Sequence, residues 1–123
     1  MVALAVPPAL IPDTTRNITI ENPTAADSFV LFYTAVALTV LQLDLVIQGA
    51  TSVTAGFRFG PDRSAAGTEV VTGGTVVSNT TTGQQITVFN DGDIPAGSWV
   101  WAETTALVGT PLTLSMNMVV ASA

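Results

Sequence analysis

Leu112-Thr113-Leu114-Ser115-Met116-Asn117-Met118-Val119-Val120 sets large apolar residues against small polar ones, and only Val119 breaks the rhythm. A period of two belongs to a strand with one face on a core and the other on water. The same rhythm recurs upstream. Ile18 and Ile20 alternate with Asn17, Thr19 and Glu21, and Asn22-Pro23 closes that strand. Across Ala37–Gln48, Leu41, Leu43, Leu45 and Ile47 face one way and Gln42, Asp44 and Gln48 the other, with Val46 the exception. Val53, Ala55, Phe57 and Phe59 alternate with Thr54, Gly56 and Arg58.

The remaining segments are read from the same logic. Ser28–Thr34 is apolar on both faces, which predicts a central or doubly covered strand. Short strands are expected around Glu69–Thr72 and Thr75–Ser78, with Gly73-Gly74 between them as a hairpin turn. Gln85–Phe89 and Ser98–Thr104 read as strands, and Asn90–Gly97 as a long turn. No stretch shows helical spacing. About eight or nine strands joined by Gly, Pro and Asn turns predict an all-β, antiparallel β-sandwich of the jelly-roll kind.

The first sixteen residues differ in character. Pro7, Pro8 and Pro12 fix φ and remove donors among apolar neighbours, so residues 1–16 are expected to form an extended arm and 17–123 the single sandwich domain. Leu4, Val6, Leu10 and Ile11 would be costly to leave in water, and the arm is expected to use them as an interface on a neighbouring molecule. The opening residues lack a basic segment, and their apolar run stops at two prolines, unlike a signal peptide.

Composition narrows the functional classes. The chain has 123 residues, nine acidic and three basic, for a net charge of −6. The only cations are Arg16, Arg58 and Arg63, too few for the basic patch that nucleic acid or an anionic membrane requires. The stretch Phe29–Ile47 is broken by Thr34, Thr39, Gln42 and Asp44, so it is not a membrane span. Charged residues make up 10% of the chain and hydrophobic ones 48%, where a soluble domain carries about 25% charged. Apolar surface covered by another chain accounts for that imbalance.

Chemistry finds little to work with. There is no histidine, lysine or cysteine, which removes the usual general base, Schiff-base lysines, thiol nucleophiles and imidazole or thiolate metal ligands. Asp44 and Glu103 could form a carboxylate pair only if the fold set them about 5–9.5 Å apart, and outward solvated residues are expected instead. Asn90, Asp91 and Asp93 flank Gly92 as in a cation loop, but no closing glutamate follows, and turn chemistry is the expectation. Trp99 and Trp101 share one face of a strand, either as a sugar-stacking aromatic surface or, the favoured reading, as core. Arg58 and Arg63 are expected to pair with nearby carboxylates. No enzyme activity, cofactor or metal is expected.

Two stretches carry a family resemblance. Gly60-Pro61-Asp62-Arg63-Ser64-Ala65-Ala66-Gly67, running on to Gly74, and Ile94-Pro95-Ala96-Gly97-Ser98-Trp99-Val100-Trp101, running on to Gly109, resemble a group of small β-domain virion proteins of tailed bacteriophages. The likeness extends from about Asn17 to Met118. It implies a capsid decoration (cement) protein located in the virion and assembled in the host cytoplasm. The implied partners are the major capsid protein and copies of itself, a homotrimer being favoured. The alternative is a tail or fibre accessory module that binds a host-surface glycan.

Overall fold

The computed structural model describes residues 14–49 and 52–123. They hold ten strands and no helix: β1 (Thr14–Glu21), β2 (Ser28–Thr34), β3 (Leu38–Gln48), β4 (Ser52–Gly60) and β5 (Thr68–Glu69), then β6 (Thr75–Val77), β7 (Gln84–Ile86), β8 (Asp93–Ile94), β9 (Ser98–Val108) and β10 (Thr113–Ser122). All pairings are antiparallel. One sheet runs β1-β10-β3-β7 with β8 also on β3; the other runs β2-β9-β4-β5 with β6 also on β4.

β5 and β6 lie along successive stretches of one flank of β4, and β7 and β8 do the same on β3. Counted as one broken strand each, they reduce the ten elements to eight positions, four per sheet. Every connection crosses to the other sheet except the one between β4 and β5. That connectivity is a jelly roll. The expected Gly73-Gly74 hairpin does not form, because β5 and β6 both pair with β4 and not with each other. The glycines instead close a turn in which the Gly74 N–H donates to the Val71 carbonyl at 2.9 Å. Gly74 has φ +73°, and a Cβ there would sit 2.9 Å from the Ala55 oxygen, so only glycine fits this close approach to β4.

The core lies between the sheets. Val53, Ala55, Phe57 and Phe59 of β4 face Leu114, Met116, Met118 and Val120 of β10 together with Val40, Leu43, Leu45 and Ile47 of β3, all buried. Leu112 falls outside β10 and is exposed. Leu41 also departs from the expected stripe. Val119 pairs with Gln42 and Val120 with Val40, so a β-bulge leaves Leu41 as the extra residue and turns it outward, 39% exposed, while Val40 takes the core position.

β2 is the larger surprise. Among the described residues it ends its sheet, paired only with β9, although both its faces are apolar. Leu31 is the bulged residue, since Val30 pairs with Trp101 and Phe32 with Val100. At the start of the domain, Thr14, Thr15 and Arg16, placed in the arm by sequence, form the first three residues of β1 opposite Val120, Val119 and Met118. The rest of the arm, with Leu4, Val6, Leu10 and Ile11, lies outside the described residues.

Candidate interaction surface

β9 decides what the outer face of the second sheet carries. Val100 and Ala102 are fully buried against the core, so their neighbours Trp99, Trp101 and Glu103 point away from it. The register extends this face across three strands. Tyr33 of β2 sits beside Trp99, Val30 beside Trp101, and Ser28 beside Glu103. On the other flank, β4 presents Gly60, Arg58 and Gly56 to the same three residues. The two indoles are therefore on one side, as expected, but they lie on the outer face and not in the inter-sheet core.

Their surroundings then separate them. Trp101 is 1% exposed although it faces outward, because the loop after β4 folds over it. Gly67, at φ +71°, rests against the indole, and a Cβ there would meet the ring carbon Cη2 at 2.6 Å. The Arg63 guanidinium stacks above the same ring, 4.8 Å from its centroid, and its Nη2 donates to the Ser28 hydroxyl at 2.6 Å. The buried Nε of Arg63 finds no hydrogen-bond partner among the described residues, and its guanidinium instead has the indole face beneath it. Asp62 holds the loop's bend, accepting from the Ser64 N–H at 2.9 Å and its hydroxyl at 2.7 Å. Those two bonds pull the Asp62 carboxyl below its ordinary value. The two stretches that carry the family resemblance thus meet, one forming the lid over an aromatic ring supplied by the other.

Among the described residues nothing covers Trp99 in this way. It is 39% exposed and packs against Tyr33 with centroids 4.9 Å apart, tilted by 59°. Tyr33 is 51% exposed and Val30 46%. Phe29 and Val36, before and after them, are also exposed. Val30, Tyr33 and Trp99 therefore form an exposed apolar row on the outer face of β2 and the start of β9, whereas Phe29, opposite Ala102, faces the other way and Val36 lies in the turn after β2. The sequence signal for it was the two-faced apolarity of Ser28–Thr34, which reports burial demand without saying what meets it.

Ionic groups sit to one side of this strip. Arg58 pairs with Glu103 and, at 3.2 Å, with Glu69, and its Nη1 donates to the Ala66 carbonyl. Arg58 thus has the carboxylate partners expected of it, whereas Arg63 uses an indole and a hydroxyl. Arg16 lies over the Phe32 ring at 5.4 Å.

The opposite outer face is different in kind. Asn117 and Gln42 donate to the two oxygens of Asp44 at 3.1 and 2.8 Å, and Thr19 and Ser115 share a bond at 3.4 Å. Asp44 and Glu103 therefore stand on opposite outer faces and are not brought together. In the 90–93 loop, the Asn90 side-chain oxygen accepts from the Thr72 N–H, and the Asn90 and Asp91 N–H groups donate to the Val70 carbonyl. This is a structural clasp between strand ends. No cluster of three or more acidic side chains suited to a metal ion occurs among the described residues, and no helix is long and apolar enough to cross a membrane.

No protein-family model and no curated protein matches the chain. Among solved structures, a chain in the structure of infectious bursal disease virus Gt strain is similar over 99% of this chain, at 15% identity and a TM-score of 0.42. The similarity covers 36% of that longer chain.

Proposed function

We propose that this chain is a structural virion protein, a bacteriophage capsid decoration (cement) protein that stabilises the shell by protein–protein packing. The observation that carries the reading is the uncovered strip of Val30, Tyr33, Val36 and Trp99 on a chain in which charge is scarce. An exposed apolar row flanked on one side by ion pairs is suited to protein binding, with Trp and Tyr the residues most often at the energetic centre of such a surface. The jelly roll is shared by capsid and lectin domains, so the fold alone does not choose between roles. The resemblance of the 60–74 and 94–109 stretches to small phage virion proteins favours the capsid. The proposed partners are the major capsid protein and further copies of the chain in a homotrimer, within a particle assembled in the host cytoplasm. An interface of about 1,200–2,000 Å2 would seat such a protein stably.

The test is co-sedimentation with purified capsids, together with light scattering on the free protein. Saturable binding and an oligomer are expected. A monomer that never pellets with capsids would end the reading.

One observation favours a second reading, a tail or fibre accessory module for host-surface glycan. Trp99 beside Tyr33 offers half-exposed rings for stacking on sugar, a role closed to the covered Trp101. Binding on a glycan array that disappears in Trp99→Ala would select it.

A further inference from the structure

Sheet edges are where a β-protein must defend itself, and natural edges are blunted by charge, proline, shortness or irregularity. Among the described residues, four strand positions end the two sheets. β1 carries Arg16 and Glu21. β5 and β6 are two and three residues long, interrupted by Gly73-Gly74. β7 and β8 are three and two residues long. β2 is the least defended of the four: seven residues, Ser-Phe-Val-Leu-Phe-Tyr-Thr, without charge or proline, and blunted only by one bulge at Leu31. Its open backbone edge coincides with the exposed apolar strip.

We propose that the free edge of β2 receives the segment Val2–Ile11 of a second copy of the chain, and this rests on the assembly reading above. The first support is where the chain enters the domain. Thr14 and Arg16 line a cavity of about 180 Å3 together with Phe32, Tyr33, Thr34 and Val36, so the thirteen residues before Thr14 join the body beside the end of β2. The second is reach. Thirteen extended residues span up to ~43 Å, whereas the seven of β2 cover ~23 Å. Residues 7–13 can therefore bridge up to ~23 Å to a neighbour while Val2–Val6 cover ~17 Å of its edge.

Chemistry is the third support. Val2, Leu4 and Val6 alternate with Ala3 and Ala5, a strand pattern that puts three large apolar side chains on one face. That face matches the Val30, Tyr33 and Trp99 row. Pro7 has no N–H to offer a ladder, which limits pairing to the residues before it. No charged residue precedes Asp13, so the donated segment is uncharged, like the seven residues of β2 itself, while Arg16 and Arg63 border the accepting strand. Each copy then donates one segment and accepts one. Such a head-to-tail contact closes into a ring when the rotation allows.

The chain has no cysteine, which makes cross-linking clean. Leu4→Cys protein, enlarged by a tag, is mixed with untagged Val30→Cys protein and oxidised, both as full chains. A mixed covalent dimer is expected in at least ten-fold excess over either like-with-like dimer. Amides of residues 29–34 should be protected from hydrogen exchange in the intact protein and lose at least ten-fold protection when residues 1–12 are removed. A dominant Val30–Val30 cross-link would overturn the proposal by making another β2 the occupant. A cross-link formed only within the doubly substituted chain would overturn it by showing self-docking. If no cross-link forms and the intact protein is still an oligomer, the docking fails and the assembly reading survives. If the protein is also a monomer that ignores capsids, both fail.

Discussion

The Arg63 guanidinium carbon sits over the ring of Trp101, 4.8 Å from its centroid, and that indole is almost wholly buried although it lies on the outside of the sandwich. The loop that supplies the arginine does for Trp101 what no element among the described residues does for Trp99, two residues earlier. One sheet face thus contains an anchored indole and an available one, and the difference yields the first prediction.

Trp101→Ala should destabilise the fold by about 3–5 kcal/mol, as expected for deleting a large buried ring. Trp99→Ala should cost no more than about 1.5 kcal/mol, the scale of its aromatic pair with Tyr33. Urea denaturation measures both. In capsid binding the order reverses. Trp99→Ala should weaken binding by about 30-fold or more, the scale of a central interface aromatic.

Gly67→Ala should lower stability by about 1–3 kcal/mol, since the residue sits at positive φ with the indole in the way of a Cβ. Arg63→Ala should cost about 1 kcal/mol. Both should move Trp101 fluorescence to longer wavelength as the loop lifts. A blue or unchanged emission maximum in both variants would show that the loop is not the cover.

Acid should loosen the same loop. The Asp62 carboxyl is held below its ordinary value of 3.8 by the Ser64 hydroxyl and N–H. A depressed carboxyl stabilises the fold above its unfolded value, and the contribution fades as pH falls through the folded value. Trp101 emission should therefore begin to shift below about pH 4. In Asp62→Asn, which cannot titrate, that part of the shift should be absent.

Leu41 and Leu43 offer a test of the bulge in β3. Leu43→Ala, in the core, should cost about 2–5 kcal/mol. Leu41→Ala, on the outside, should stay within about 0.5 kcal/mol. Equal costs would mean that the strand keeps the simple alternation of its sequence and that the bulge is not there.

Those two leucines also show where the sequence stops speaking. The alternation of Val53 to Phe59 and of Leu114 to Val120 was enough to place both strands and their core faces, because each side chain is dictated by the strand's own pleat. The bulge at Leu41 depends on the partner strand, where Val119 and Val120 slip register, and no local pattern marks it. Gly73-Gly74 was legible as a turn but not as a break within one edge, since a glycine pair permits positive φ without specifying which strands it joins. The likeness between β2 and a buried central strand was misleading for a physical reason. Apolar residues on both faces say that two coverings are needed, and the chain itself supplies only part of them. Similarly, Trp99 and Trp101 were readable as sharing a face. Which face it was, and which indole stayed open, depended on a loop more than thirty residues upstream.

The sheet on the far side of the molecule has its own consequence. Its outward amides and hydroxyls attract water as dipoles, while Glu21 and Asp44, the latter tied to Asn117 and Gln42, add negative charge. Ionic strength screens the charges but leaves the dipolar hydration nearly untouched. A shell tiled by this molecule through its aromatic side would turn that acidic, hydroxyl-rich skin to the medium and would keep its hydration in fresh water and brine alike.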